Sequence, residues 1–234
     1  MPEDVPPLRV LAWDLEDADQ VLAAEWLRDQ DHDVALLWGL DTRRFHRFQE
    51  AVARHCHTQR VERRDRCAAV VLPDDGPLVV GYDFPPYAAP WPFAAQVSVR
   101  LRDTPGGRGR SLLRLIAAAP CTWAPQRADT EARWLAAIAR HEHVLVAGGW
   151  PANPDGDDTD TVLTDAGLPA IPATTPPDDR PHPGRIHIST TLLPAVTSLT
   201  TPDDPELRDI TPHPPLLAAL DWHPLRTGLA VRGR

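Results

Sequence analysis

The chain of 234 residues carries a net charge of −9, with 42% hydrophobic and 24% charged residues, which fits a globular protein of one large or two small domains and excludes a disordered one. The acidic balance argues against general nucleic-acid binding, because that affinity rests on neutralising phosphates with basic side chains. No apolar run approaches the roughly 20 residues of a membrane span, so no membrane partner is expected.

Strand-like runs begin with LRVLAWDL at Leu8–Leu15 and DVALLW at Asp33–Trp38. Asp17 is a candidate N-cap for a first helix over Ala18–Gln30, with Ala18, Val21, Leu22 and Trp26 on one face. Asp41 or Thr42 could cap a second helix reaching Cys56. CAAVVL, ending at Leu72, and LVVGY, ending at Tyr82, flank PDDGP and read as a hairpin. AQVSVRLR at Ala95–Arg102 and SLLRLIAAA at Ser111–Ala119 flank a second hairpin loop. Asp129 opens a third helix with Ala132, Leu135, Ala136 and Ala139 inward, and VLVA follows at Val144. A short helix over Thr159–Ala166 stops at Gly167. RIHIST at Arg185–Thr190 and PLLAALDW at Pro215–Trp222 come last.

About nine strands and four helices, with hairpins in the middle, predict an α/β (α+β) fold. Its form is a two-sheet β-sandwich flanked by helices on both outer faces, a four-layer αββα arrangement. One domain over 8–223 is expected, with tails at 1–7 and 224–234. Cys56, Cys67 and Cys121 are odd in number and scattered, so no disulfide framework is implied. The acidic start MPEDVPPLRV lacks the regions of a signal peptide, and a reducing, cytoplasmic setting is expected. Proline is abundant (27 residues), and arginine is the only long-chain base. Both fit the residue usage of a GC-rich genome and carry no functional weight.

Several phrases stand in the order found in one family. LRVLAWDL ends in Asp14, HDVALLWGL carries Trp38 and Gly39, and VLVAGGWPA carries Gly149 and Pro151. TDTVLTDAGLPAI follows, then RIHIST with His187 and TPHPPLLAAL with Pro212 and His213. The sequence resembles the endonuclease/exonuclease/phosphatase family, with its deoxyribonuclease-like fold, from Leu8 to Asp221. The resemblance implies an Asn where Asp14 stands and the metal-ligating Glu where Gly39 stands, with a Gln at Trp38. It implies an Asp at Gly149 and an Asn at Pro151, which would orient water and phosphate. It implies an Asp at His187 and an Asp at Pro212, beside a His kept as His213. The family reaction needs a divalent cation held by carboxylates and a water made nucleophilic. Most of those groups are replaced here, and His213 would lack a carboxylate to orient it.

Each candidate also has a plainer reading. Asp14 could ligate a cation or cap the following turn. His213 and His187 could be catalytic remnants, or His213 a surface residue of a Pro-rich loop. The acidic run Asn153–Asp160 lacks the spacing of a calcium loop and suits a helix N-terminus. His55–His57 with Cys67 matches no zinc pattern, Gly106–Arg110 reads as a hairpin tip, and His141–His143 carries no catalytic weight. Trp13, Trp38 and Trp150 are expected around the pocket mouth, where they could fill it.

The expected function is a degenerate, non-hydrolytic member acting as a binding or scaffold module for a protein or small-ligand partner. No cofactor is expected in that case. The alternative is a phosphodiesterase, phosphatase or nuclease with a rebuilt site of Asp14, His187 and His213, using Mg²⁺ or Mn²⁺.

Overall fold

The computed structural model describes residues 6–52, 56–63, 65–80, 94–101, 113–119, 125–150, 159–172 and 184–225, with backbone alone for 56–63, 125–129 and 159. The first half runs β1 (Leu8–Asp14), α1 (Gln20–Asp29), β2 (Val34–Asp41), α2 (Phe45–Val52), β3 (Cys56–Arg63), β4 (Arg66–Pro73) and β5 (Leu78–Val80). The middle comprises β6 (Ala94–Leu101), β7 (Leu113–Ala118), α3 (Pro125–Ala139), β8 (His143–Gly148) and α4 (Thr159–Asp165). The last part has β9 (Arg185–Ile188), a 3₁₀ segment at Thr190–Ala195, β10 (Val196–Thr200), α5 (Leu207–Ile210) and β11 (Leu216–Leu220).

β1, β2, β7 and β8 are nearly continuous apolar runs because both their faces are covered. β1 pairs in parallel with β2, and β7 with β8, each through a crossover helix. Antiparallel neighbours complete two sheets, ordered β10-β11-β1-β2-β4-β3 and β5-β6-β7-β8-β9. Side chains alternate between faces, so each sheet supplies two apolar surfaces. Val10, Leu36, Val70, Val97, Leu115, Leu145 and Ile186 meet in the core between the sheets. Leu11, Leu27, Phe45, Phe48 and Ile210 pack on the outer side of the six-stranded sheet, beneath α1, α2 and α5. Ile116, Leu135, Val144 and Leu163 do the same for the five-stranded sheet, beneath α3 and α4. The result is the expected four-layer αββα sandwich. Each fully buried Leu, Ile or Val contributes roughly 1.5–3 kcal/mol, enough to override weak local propensities.

Several local expectations are corrected. PDDGP does not close a hairpin: β4 and β5 belong to different sheets, and the turn passes the chain from one to the other. Asp19 rather than Asp17 caps α1, its carboxylate accepting the Val21 and Leu22 amides at 3.0 and 3.3 Å. The buried face of α1 is Gln20, Ala23, Ala24, Trp26 and Leu27, while Val21 and Leu22 face outward. α2 stops at Val52, so Cys56 opens a strand instead of ending a helix. α3 begins at Pro125, four residues before Asp129. There are eleven strands and five α-helices among the described residues. Leu225, inside the segment expected as a C-terminal tail, is fully buried in the inter-sheet core. Gly167 does end α4, with φ +83°. No described helix is long and apolar enough to cross a membrane.

Candidate functional site

The adjacent parallel strands β1 and β2 end side by side, with Asp14 opposite Trp38. Asp14 shares the inward face of β1 with Ala12 and Val10. There it lines a cleft with Trp38, Gly184, His213 and Leu216. The cleft holds about 10 Å³, room for one water molecule. Trp38 takes most of the remaining space and is only 4% exposed. It lies against Gly184, where an added Cβ would fall 2.3 Å from Trp38 Cζ2. Of the three tryptophans expected at the pocket mouth, only Trp38 is there. Trp13 points the other way, edge-on to Trp26 at 5.2 Å beneath α1. Trp150 packs on the helix side of the five-stranded sheet.

Burial pushes the Asp14 carboxyl above the usual carboxylate range, and the neighbouring Glu16 carboxylate adds to this. The Glu16 amide, 3.0 Å from Asp14 Oδ1, works against it. The Trp38 N–H and the nearby His213 also favour the charged form. The indole N–H nonetheless makes no well-formed hydrogen bond, to Asp14 or any other described group.

Gly39 stands where the resemblance implies a metal-ligating Glu, and it is not a Glu position merely cut short. Its φ is +74°, in the left-handed region that favours glycine. An added Cβ would lie 2.6 Å from the Glu16 nitrogen and 2.7 Å from Asp14 Oδ1. The 14–16 turn therefore occupies the start of the path a side chain would take. Arg66 closes over the same point. Its Nη1 donates to the Gly39 carbonyl at 3.3 Å, and its Nη2 lies 3.4 Å from Glu16 Oε1.

His213 reaches the cleft from the loop before β11. Its backbone is fixed twice: its N–H donates to Thr211 Oγ1 at 3.0 Å, and its carbonyl accepts the Trp13 indole N–H at 2.8 Å. A carboxylate does lie near the ring, contrary to expectation, since Asp17 Oδ2 is 3.9 Å from Nε2. That distance is too long for an orienting hydrogen bond. Pro212, beside it, is exposed.

His187 is not brought into this cleft. It is fully buried on the opposite face of β9 from the inward Ile186 and Ile188. Its Nδ1 is 3.0 Å from the Leu168 carbonyl, and its Nε2 is 3.2 Å from Asp160 Oδ1. The Trp150 ring meets it edge-on at 5.4 Å. Contact with His187 Nε2, which is not aligned as a well-formed hydrogen bond, holds the Asp160 carboxyl below the usual range despite partial burial, with help from the Arg185 charge.

In the stretch VLVAGGWPA, Gly148 is the glycine that packing requires: a Cβ there would come 2.7 Å from the Ala118 carbonyl. Gly149 follows the end of β8, and Pro151 lies outside the described residues. So do Asn153–Asp158, Gly106–Arg110 and His55. Cys67 is buried and forms no disulfide.

A divalent cation of the kind the resemblance implies does not fit the described residues. It needs several hard oxygen ligands. Asp14 offers one carboxylate, Gly39 offers none, and Glu16 faces Arg66. Among the described residues no three His, Cys, Asp or Glu side chains converge as a metal would require. Sequence reading missed the site roles of Glu16, Arg66 and Gly184, which come from contacts with residues distant along the chain: Glu16 and Arg66 with Gly39, and Gly184 with Trp38. Only the glycine in position 184 gave a local signal, and it was hidden in a Pro-rich run.

No protein-family model and no curated protein matches this chain. Solved structures do. An endonuclease/exonuclease/phosphatase from Bacteroides vulgatus is 12% identical with a TM-score of 0.68, over 93% of this chain and 99% of that one. A mannosyl-6-phosphatase from Bacteroides thetaiotaomicron is 12% identical with a TM-score of 0.65, over 92% and 100%. The endonuclease domain of TRAS1, a telomere-specific non-LTR retrotransposon, is 13% identical with a TM-score of 0.63, over 92% and 99%. The fold of this chain is that of the endonuclease/exonuclease/phosphatase proteins.

Proposed function

We propose that this chain is a non-hydrolytic protein on a phosphoesterase fold, acting as a binding or scaffold module. The observation that carries this reading is Gly39: its left-handed backbone and the crowded 14–16 turn leave no place for the carboxylate that would hold a cation. The Trp38 ring against Gly184 supports it by filling the cleft to about 10 Å³. Loss of a single catalytic group typically costs a factor of about 10²–10⁴ in rate. Here several positions differ together. A cleft the size of one water also favours a macromolecular partner at the surface over a small ligand within.

One observation favours a second reading, a residual hydrolase: Asp14 and His213 do share the cleft. A direct assay separates the two. The full chain is incubated with Mg²⁺ or Mn²⁺ and a nitrophenyl phosphodiester or phosphomonoester. Release of nitrophenol should stay at background and be unchanged in Asp14→Asn and His213→Ala. Turnover abolished by both substitutions would overturn the non-hydrolytic reading.

A further inference from the structure

The charge of this chain is segregated. Residues 43–66 hold eight arginines against Glu50, Glu62 and Asp65, a net of +5, which leaves −14 on the remainder of a chain whose total is −9. The fold then brings the two ends of that segment together. The Thr42 amide donates to the Asp65 carbonyl at 3.0 Å, and Arg66 stands in register with both Asp41 and Arg63. The arginines at the start of α2 therefore lie beside the tip of the β3–β4 hairpin. α2 buries Phe45, Phe48 and Val52, while Arg47 on it and Arg43 and Arg44 just before it face solvent. Among the described side chains, Asp41 is 3.9 Å from Arg44, and Glu16 is 3.4 Å from Arg66. Next to the cluster runs β3, eight residues long and last in the six-stranded sheet. It pairs along its whole length with β4, and no described strand pairs with its outer edge.

We propose that this corner is a docking surface for an extended acidic protein segment, which adds to β3 as a seventh strand and places carboxylates on Arg43, Arg44, Arg47 and Arg66. An open strand edge supplies main-chain hydrogen bonds to an extended peptide, and the arginine fork pairs with carboxylates in two-point fashion. The acidic remainder of the molecule decides the class of partner. A long polyanion such as nucleic acid would run beyond the patch onto a surface of net −14 and be repelled. A short acidic segment stays within the patch, and screening over about 8 Å hides the distant charge from it.

The surface is separate from the cleft, so its test needs no turnover and stands apart from the non-hydrolytic reading. The probes are a short fluorescent peptide alternating Glu and Val, its Gln–Val counterpart, and an oligothymidylate of equal charge. Anisotropy titrations use the full chain and an Arg43→Glu/Arg44→Glu/Arg47→Glu variant, whose exposed positions leave the core intact, as circular dichroism checks. The Glu–Val peptide should bind, lose about tenfold in affinity in the variant, and weaken with added salt. Amides of 56–63 should gain protection from hydrogen exchange when it is bound. Any one of four results overturns the proposal: no peptide binding, equal binding of the Gln–Val peptide, tighter binding of the oligothymidylate, or binding that leaves the β3 amides unprotected.

Discussion

Two histidines occupy positions that the resemblance places in one catalytic site, and the fold treats them in opposite ways. His187 is walled in by Leu168, Asp160 and Trp150 and has no exposed surface. His213 is partly open at the cleft, 3.9 Å from Asp17 Oδ2. The difference shows one histidine given over to packing while the other stands at the rim of the cleft. In the His187 region, one imidazole links β9 to the first turn of α4 through Asp160 and to the chain just after α4 through Leu168. In the His213 region the backbone is anchored by Thr211 and Trp13, and the side chain stays partly open at the cleft.

The largest test of that contrast is His187→Ala. Deleting a fully buried ring costs about 3–5 kcal/mol, read as a lower denaturation midpoint in urea with an unchanged slope. His213→Ala should lie within about 0.5 kcal/mol of the native chain, as for surface positions free of special constraints. Equal losses at the two sites would erase the contrast. Gly39→Ala comes next, at about 1–3 kcal/mol, because it forces a side chain into the left-handed region and against the Glu16 backbone. A Gly39→Ala protein as stable as the native chain would show that the 14–16 turn yields easily.

Acid titration gives a smaller effect of definite sign. Asp160 is held below its ordinary value of 3.8 in the folded state. Its stabilisation is therefore present above that value and is lost as pH falls through the lower folded value. Asp14 is raised above 3.8, so its charge is a burden at neutral pH, lifted as pH falls through its folded value. Asp160→Asn should flatten the loss of stability at low pH. Asp14→Asn should raise the thermal midpoint at neutral pH slightly. A lower midpoint for Asp14→Asn would mean that its contacts outweigh the burial of its charge.

Much of the architecture was legible because it rests on strands covered on both faces. VLAW, VALLW, LRLIAA and VLVAG read as strands from apolar content alone. The polar edge strands were not: CHTQRVER and VTSLT lack the alternation that marks one buried face, because edge positions are shaped by solvent and by a single neighbour. The PDDGP turn carried the local chemistry of a hairpin, but which sheet a strand joins is settled by distant partners. For α1, Val21 and Leu22 look like core by type, yet the small Ala23 and Ala24 face the sheet, where a close helix approach needs them. At the cleft, the order of motif phrases located Asp14, Gly39 and His213. What no phrase could give was the backbone hand of Gly39, the direction of Trp38, or the turning of His187 to the far face of its sheet.

If the chain descends from a metal-dependent hydrolase, as the proposed function implies, the left-handed backbone at Gly39 has a consequence. Were the position a plain truncation, one codon change could return a carboxylate, and the loss would be open to reversal at any time. Here a new side chain meets the Glu16 amide and the Asp14 carboxylate before its second carbon. Any path back must first rebuild residues 14–16 and release Arg66 from the Gly39 carbonyl. The glycine thus acts as a ratchet: easy to drift into once the surrounding turn had closed, and several coordinated steps deep to leave.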